Sequence, residues 1–366
     1  MDEEQVERLK SWFRREQRRL PWRGATTPYA IWVSEVMLQQ TRAEVVIPYF
    51  LRWMKLFPSI QALADAEEAD VIKAWEGLGY YSRARRLREG ARQLVQEHGG
   101  KLPRRGEELL SIPGIGPYTA GAIRAFAFGD KSAAVDGNVM RVLARYYAIE
   151  EEIQQRAVQQ QLWQKAEALL PDDEPALVTE GLIELGALIC TKVARCDLCP
   201  VREGCQALAK GLVDQLPRKR PGRSTVRLQR LVALVRWQEK WLLRQVEKGK
   251  LMEGLWEFPY YPLEPQEAME KVVEVWLTEL LGNSPREAGN GWELLEPLSH
   301  AFTRYQVELY PLLILLKQPP SPLSEAVQWV EGRRLESLPF PSGHRQLAAW
   351  ASAYEKELMA RRCASA

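Results

Sequence analysis

The sequence lacks the features that direct a protein into a membrane or out of the cell. The residues after Met1, DEEQVERLKSW, contain no apolar segment of the kind that a secretory signal requires. No run of about eighteen apolar residues is present, so no membrane-spanning helix is expected. Internal repeats and low-complexity tracts are also absent. We therefore expect a cytoplasmic protein whose cysteines stay reduced.

The sequence also has little net charge, and a value of +2 by itself indicates no binding partner. Arginine and lysine are nevertheless concentrated in three groups, within residues 14–23, 83–92 and 218–227. Such groups can form a phosphate-binding face when acidic residues lie elsewhere. They can equally be solvated faces of helices, and the sequence leaves both interpretations open.

Composition divides the 366-residue chain into two parts. Residues 1–212 carry apolar residues at three- and four-residue spacing, which predicts helices. Residues 213–230 are rich in proline, glycine and charge, which is typical of a linker. Residues 231–366 contain strand-like segments (LVALVRW, KWLLRQV, YQVELYPLLILL) and a helix-like stretch that ends at LTELLG. A helical region followed by a smaller α+β domain is therefore expected.

Only five cysteines are present, and four of them lie close together: Cys190, Cys196, Cys199 and Cys205. Reduced thiols at this density indicate a metal centre, either an iron–sulfur cluster or Zn²⁺. Structural zinc loops usually carry two close pairs, whereas here only Cys196 and Cys199 are close. The unequal spacing favours an iron–sulfur cluster, with zinc and unliganded thiols as the alternatives.

The segment LSIPGIGPYTAGAIRAF places Gly114 and Gly116 between two apolar helical segments. Glycine permits a tight turn and lets backbone N–H groups approach a phosphate. The next helix is predicted to begin at about Pro117, so that its N-terminus points at the anion. The pattern is typical of a helix-hairpin-helix motif, which binds DNA backbone without reading the base sequence. An ordinary connection between two helices is the alternative.

Two carboxyl groups have different predicted surroundings. Glu35 shares an apolar helical stripe with Ile31 and Leu38 in PYAIWVSEVMLQQT, so burial would raise its pKa toward the range of a general acid. Asp136 in AVDGNVMRV precedes a helix, where backbone donors and the helix dipole would keep it ionised. A protonated and an ionised carboxyl group together suit cleavage of a glycosidic bond. A solvated or arginine-paired Glu35 and a purely structural cap at Asp136 are the alternatives.

Several motifs occur together and in order: VSEVMLQQT, WEGLGYYSRARRL, IPGIGPYTA, AVDGNVMRV and IELGALIC, followed by the four cysteines. They resemble the adenine DNA glycosylase (MutY) family of the helix-hairpin-helix superfamily over nearly all of residues 10–210. The resemblance implies a six-helix barrel domain over about 22–130. It also implies a domain built from 1–21 and 131–212 that holds one [4Fe–4S] cluster. GLWEFP at 254–259 resembles the Nudix-like C-terminal domain of that family, here residues 231–366.

The resemblance implies a monofunctional glycosylase of base excision repair that hydrolyses the bond joining adenine to deoxyribose. Adenine would be mispaired with 8-oxoguanine or guanine in double-stranded DNA. Glu35 would protonate adenine N7 and Asp136 would stabilise the oxocarbenium ion, with Tyr118 and Asn138 positioning them. The other residues expected at the base pair are Trp22, Arg23, Gln40, Thr41, Leu78, Tyr80 and Glu180. A monomeric, bacterial, nucleoid-associated protein is expected, with a structural cation at the Gly114–Gly116 turn as a further expectation.

Tyr118 separates this interpretation from its neighbours. Bifunctional relatives of the endonuclease III type carry a lysine at this place, whose amine forms a Schiff base with the sugar, and a phenol cannot do so. A mispair-binding protein without catalytic activity is a further alternative. Hydrolysis by the Nudix-like domain would require an REx₂EE helix, and the sequence after residue 259 contains none.

The chain departs from the family pattern in two places. Five residues separate Cys190 from Cys196, whereas the family usually has six, which would tighten the outer turn of the cluster loop. The family's Phe-Ser-His loop against 8-oxoguanine is replaced by Phe302, Thr303 and Arg304 in HAFTRYQ. Because arginine is a permanent cation and cannot accept a hydrogen bond, the discrimination of 8-oxoguanine is expected to be weaker or to be achieved through different contacts.

Overall fold

The computed structural model describes residues 1–24, 27–220, 224–264, 267–282, 291–302, 304–318 and 327–364. The chain forms two compact units. The first comprises Met1–Ala66 and Arg85–Gly222, and the second comprises Glu67–Ala84 and Arg223–Ala366. The segment Glu67–Ala84 thus belongs to the second unit, although it lies within the region predicted to be helical and catalytic. None of the described helices combines the length and the hydropathy needed to cross a membrane.

Residues 1–212 are helical, in agreement with the apolar spacing. In chain order the helices are α1 (Glu3–Glu16), α2 (Pro28–Leu38), α3 (Ala43–Leu56), α4 (Ile60–Asp65), α5 (Glu68–Trp75), α6 (Ser82–His98), α7 (Gly106–Leu110), α8 (Pro117–Phe128), α9 (Gly137–Tyr146), α10 (Arg156–Ala168), α11 (Pro175–Leu188) and α12 (Gln206–Ala209). Local signals set several of their starts. Asp2 forms a capping box with Gln5 at α1, and Thr27 caps α2, whose first residue is Pro28.

Helices α1, α9 and α11 enclose one apolar core in the first unit. Leu9, Leu143 and Leu185 are fully buried within it. Gly181 of α11 allows a close approach, because a Cβ atom there would lie 3.2 Å from the Leu9 side chain. This packing holds α11 beside α1 and α9, so that the acidic residues of α11 lie near the start of α9.

Residues 213–220 are docked on the first unit, which differs from the linker predicted over 213–230. Leu216 is buried, and its carbonyl oxygen accepts a hydrogen bond of 2.8 Å from Arg145 Nε. Arg218 pairs with Glu150 at 2.8 Å. The first strand begins at Val226, also inside the predicted linker. Composition alone misses these partners because they lie far away in the sequence.

The second unit contains a mixed sheet, and its described part has eight strands. They are β1 (Val226–Trp237), β2 (Lys240–Gln245), β3 (Trp256–Glu257), β4 (Tyr260–Leu263), β5 (Trp292–Leu294), β6 (Leu298–Phe302), β7 (Tyr305–Leu316) and β8 (Gln328–Glu331). The central pair, β1 and β7, is parallel from Val226↔Tyr305 to Trp237↔Leu316. The other pairs in this described sheet are antiparallel, including the β1–β2 hairpin and the β6–β7 hairpin with Phe302 opposite Tyr305.

A helix covers each face of this sheet. Val232 and Leu234 of β1 pack on the side of helix α14 (Ser342–Ala364), together with Leu347. Leu231, Ala233 and Val235 pack on the side of helix α13 (Met269–Leu281). Since both faces are covered, residues 231–235 form a continuous buried run rather than a half-buried alternation. The predicted α+β Nudix-like fold class is confirmed.

Candidate active site

An open cleft of about 990 Å³ in the first unit is lined by side chains from α2, α8, α9 and α11. It brings together residues that lie up to 201 positions apart, as Arg18 and Lys219 do. Of the predicted site residues, those that line it are Trp22, Arg23, Glu35, Gln40, Thr41, Tyr118, Asp136, Asn138 and Glu180. A cavity of this size is large enough for an extruded nucleoside.

Glu35 lies near the end of α2 and is only 5% exposed. Its Oε2 accepts a hydrogen bond of 2.7 Å from the Tyr118 hydroxyl. Burial raises the pKa of Glu35 to about 7, and the nearby carboxyl groups of Asp136 and Glu180 add to the rise, while the Tyr118 hydrogen bond opposes it. A buried glutamic acid with a pKa near neutrality can donate a proton at physiological pH.

Tyr118 is the second residue of α8, which starts at Pro117 as predicted. Burial raises the pKa of its phenol well above 10, so the group remains a hydrogen-bond donor. Gly121, one turn later, packs on the carbonyl oxygen of Ala133 so closely that any Cβ atom would collide with it. This close approach holds α8 against the segment that leads to Asp136.

Asp136 is the N-cap of α9, as the sequence indicates. Its Oδ1 accepts hydrogen bonds from the backbone N–H groups of Asn138 at 2.9 Å and Val139 at 2.8 Å. Its Oδ2 accepts one from Asn138 Nδ2 at 2.7 Å. Burial raises the pKa of Asp136, and these donors oppose the rise without reversing it. The cap geometry agrees with the sequence, but the expected effect of the donors is outweighed by burial.

Two further residues of the cleft, Glu184 and Arg18, escaped the sequence analysis. The Glu184 side chain is 1% exposed and accepts hydrogen bonds from Arg18 Nε at 2.9 Å and Arg23 Nη2 at 3.2 Å. Burial alone would raise the pKa of Glu184, but the hydrogen bonds from Arg18 and Arg23 lower it overall. Arg23 also donates to Glu180 at 3.2 Å. The signal for Glu184 was its position one helical turn after Glu180.

Arg141 links the cleft to the cysteine loop and was also missed. Its Nη2 donates to Asn138 Oδ1 at 2.9 Å and to the Gly186 carbonyl oxygen at 2.7 Å. Its Nε donates to the carbonyl oxygen of Cys190 at 2.7 Å. The amide that contacts Asp136 is therefore held by the same guanidinium that contacts the first cysteine.

The four clustered cysteines are free thiols that line one cavity. The rest of the lining is mostly apolar and includes Val142, Leu185 and Leu208. Arg145 Nη1 lies 3.4 Å from Cys190 Sγ. Within the described ranges, no three His, Cys, Asp or Glu side chains are grouped tightly enough for a single metal ion.

The predicted helix-hairpin-helix turn joins α7 to α8. Gly114 has a φ of +85°, a left-handed conformation that favours glycine, and a Cβ atom there would lie 3.0 Å from Arg86 Cβ. Gly116 is the N-cap of α8 with ordinary extended backbone. These two glycines lie outside the lining of the cleft.

The remaining predicted residues belong to the second unit. Leu78 is buried, whereas Tyr80 is 45% exposed and has a φ of +47°. Phe302 ends β6, and Arg304 precedes β7, with its guanidinium 5.3 Å from the centre of the Tyr305 ring. Thr303 lies outside the described residues.

Comparisons with known proteins give separate matches for the helical region and for the C-terminal part of the chain. Residues 33–168 match the model described as HhH-GPD superfamily base excision DNA repair protein, and residues 231–350 match that of the NUDIX domain. Adenine DNA glycosylase of Homo sapiens is 35% identical over 385 residues, covering 88% of this chain and 69% of the relative. The Buchnera aphidicola (subsp. Schizaphis graminum) protein of the same name is 30% identical over 302 residues, covering 82% and 84%.

Solved structures resemble the helical part. A thermostable thymine-DNA glycosylase has a TM-score of 0.51 at 28% identity, covering 56% of this chain and 95% of that protein. An endonuclease III trapped in a covalent intermediate with DNA has a TM-score of 0.50 at 20% identity, covering 57% and 95%. The second likeness shows a shared fold alone.

Proposed function

The chain belongs to the adenine DNA glycosylase family, and from this membership we propose that it excises adenine mispaired with 8-oxoguanine or guanine in double-stranded DNA. It is a DNA glycosylase of base excision repair. The observation that supports the adenine chemistry best is the Glu35–Tyr118 pair, a buried carboxyl group with a pKa of about 7 that accepts a 2.7 Å hydrogen bond in the cleft.

In the proposed reaction, Glu35 gives its proton to N7 of the flipped adenine. The bond between C1′ and N9 then breaks with its electron pair on the base, and the sugar becomes an oxocarbenium ion. The ionised carboxyl group of Asp136 stabilises this cation. Water adds to C1′ and returns a proton to Glu35, so that free adenine and an abasic site are the products. Since Tyr118 offers a phenol and no amine, strand cleavage by a Schiff base is not expected.

Several side chains have proposed supporting roles. Asn138 fixes the Asp136 carboxyl group, while Trp22, Arg23 and Glu180 contact adenine. Gln40, Thr41 and Leu78 contact the base opposite adenine. Tyr80 fills the space beside that base. Phe302, Thr303 and Arg304 contact 8-oxoguanine. The sequence Gly114-Ile115-Gly116 binds DNA phosphate, with a structural cation at the turn.

We further propose a [4Fe–4S] cluster held by Cys190, Cys196, Cys199 and Cys205. The donor set supports it, because four thiols line a single, mostly apolar cavity. When bound, the cluster would stabilise the loop structurally. Arg141 and Arg145 of α9 contact Cys190 and hold it in place. We also propose that the protein is monomeric and cytoplasmic and associates with the bacterial nucleoid, with a barrel domain over about 22–130 and a cluster domain built from 1–21 and 131–212.

A single-turnover assay tests the proposed function. Duplexes with A:8-oxoguanine, A:G and A:C are incubated with the protein, and strand breaks are compared with and without alkali. Adenine release from the first two, with breaks that appear only after alkali, is the expected result. Glu35→Gln and Asp136→Asn should each lower the rate by about 10²-fold or more, whereas Glu336→Gln, an exposed carboxylate of the second unit, serves as the control. Undiminished release by the first two variants would refute the assignment.

A further inference from the structure

Glu76 joins the end of α5 to the start of α14 within the second unit. Its Oε1 accepts hydrogen bonds from the backbone N–H of Phe340 at 2.8 Å and from Nε of Arg345 at 2.7 Å. Its Oε2 accepts one from Lys73 Nζ at 2.7 Å. Lys73 also donates to the carbonyl oxygen of Leu338 at 3.0 Å. A carboxylate that is 15% exposed is thus held by three donors, two of them 264 and 269 residues away.

The loop that directly follows Glu76 carries Leu78 and Tyr80, two of the residues proposed to contact the base pair. Arg83 Nη2 donates to the carbonyl oxygens of Leu78 and Gly79, each at 3.1 Å. These two hydrogen bonds hold the backbone of the loop in one conformation, and Tyr80 is the exposed aromatic side chain of the loop. Because Glu76 is fixed, the position of this loop depends on where α14 begins.

Ring contacts lead from the α14 side of Glu76 into the core. Phe340, whose N–H binds Glu76, stacks on Phe258 with 6.1 Å between the ring centres. Phe258 in turn stacks on His344 of α14 at 6.4 Å, and its N–H donates to His344 Nδ1 at 3.1 Å. These residues are buried, so they transmit a displacement rather than absorb it.

The same helix end contacts the strand that carries Phe302. His300 of β6 lies against Gly343, where a Cβ atom would be 2.6 Å from the ring. The His300 ring stacks on Phe302 with 6.0 Å between centres. An unbroken series of contacts thus connects Phe302, proposed to lie at 8-oxoguanine, with the loop proposed to fill the space beside that base.

We infer that Glu76 is a positioning residue that couples the 77–80 loop to the Phe302 hairpin and thereby increases discrimination between A:8-oxoguanine and A:G. The inference rests on the proposed function, because both loops are assigned to the mispair there. The physical basis is that a small displacement at Glu76 passes through the packed contacts to the loop. There it moves the exposed ring of Tyr80, whose exact position matters for contact with the base pair. Glu76 acts through the loop and is not itself expected to contact DNA.

The variant Glu76→Ala tests the inference, with Glu76→Gln as a milder replacement that retains one acceptor. Glu76 borders an open groove of about 410 Å³, so the cations it leaves can be hydrated. Glu336→Ala is the control, because Glu336 lines the same groove and forms its ion pair with Lys356 at 2.8 Å. The readouts are single-turnover rates on A:8-oxoguanine and A:G, and amide hydrogen exchange of residues 77–83.

The ratio of the two rates should fall about 3- to 10-fold in Glu76→Ala, and less in Glu76→Gln. Amide exchange at 77–83 should increase. In a Tyr80→Ala background, the further loss from Glu76→Ala should largely disappear, since the side chain being positioned is gone. The inference is overturned by an unchanged ratio, by equal losses on both duplexes, or by full additivity with Tyr80→Ala. If the wild-type chain released no adenine, the proposed function would fail. The coupling is tested separately by amide exchange, and unchanged exchange at 77–83 in Glu76→Ala would reject it.

Discussion

Gly186 of α11 lies directly against Asn138 of α9. A Cβ atom at position 186 would be 2.7 Å from Asn138 Cβ and 2.9 Å from the Asn138 carbonyl oxygen. The carbonyl oxygen of Gly186 also accepts a hydrogen bond from Arg141, which holds the Asn138 side chain. The absence of a side chain at 186 is therefore a condition for the position of the Asp136 carboxyl group.

Replacing this glycine tests that relationship. Gly186→Ala should force α9 and α11 apart, at a cost of about 1–3 kcal/mol in unfolding free energy. Displacement of Asn138 and Asp136 should lower the single-turnover rate about 10- to 100-fold. Gly291→Ala is the control, because no atom lies within 4 Å of the new Cβ. An active, normally stable Gly186→Ala protein would contradict the packing described here.

The rate of adenine release should depend on pH through Glu35. Its acid form is the proton donor, and its pKa is about 7, so the rate should fall as pH rises through about 7. The hydrogen bond from Tyr118 lowers the pKa of Glu35. Tyr118→Phe should therefore move this alkaline limb to higher pH, in addition to slowing the reaction. A pH–rate profile that shifts toward lower pH would be inconsistent with this contact.

Glu35 should also reduce stability in alkaline solution. Its pKa rises from 4.5 in the unfolded chain to about 7 in the folded one. The contribution of Glu35 to the stability of the fold is therefore fully present below pH 4.5 and is lost as pH rises through about 7. The loss amounts to about 3 kcal/mol at 1.36 kcal/mol per pH unit. Denaturant unfolding should show Glu35→Gln to be more stable than the wild type at about pH 9, with a much smaller difference at about pH 5. Equal differences at both values would argue against a buried, titrating Glu35.

Arg304 offers a test of opposite-base preference. A histidine at this position can accept a hydrogen bond, which the guanidinium cannot do. Arg304→His should therefore widen the rate difference between A:8-oxoguanine and A:G by about 2- to 10-fold, the range of one hydrogen bond. The exposed Arg333→His in the same unit is a suitable control. An unchanged difference would remove Arg304 from the site.

The cysteine loop should bind about four irons per chain. Purified protein should show the visible absorbance of an iron–sulfur cluster, and Cys199→Ser should lose most of the iron together with thermal stability. Cys363→Ser, at the fifth cysteine, should keep the full iron content. Stoichiometric zinc in place of iron would overturn the cluster assignment.

Local patterns predicted much of the fold and of the site. The stripe of Ile31, Glu35 and Leu38 indicated a buried glutamate, and Pro117 and Asp136 indicated where α8 and α9 begin. These features depend on neighbours within one helical turn, which a sequence displays directly. Glu184 and Arg18 did not stand out, because their partnership joins α11 to the segment after α1, across 166 residues.

The amino-acid sequence by itself determined the helices, the capped Asp136, the clustered thiols and the resemblance to a glycosylase family, since each rests on short-range spacing. Tertiary structure alone decided the pKa of Glu35, the docking of residues 213–220 and the placement of Glu67–Ala84 in the second unit. It also decided that the pKa of Asp136 is raised and not lowered. The reason is that burial and long-range hydrogen bonds depend on which distant segments exclude water from a group, and no local pattern records that.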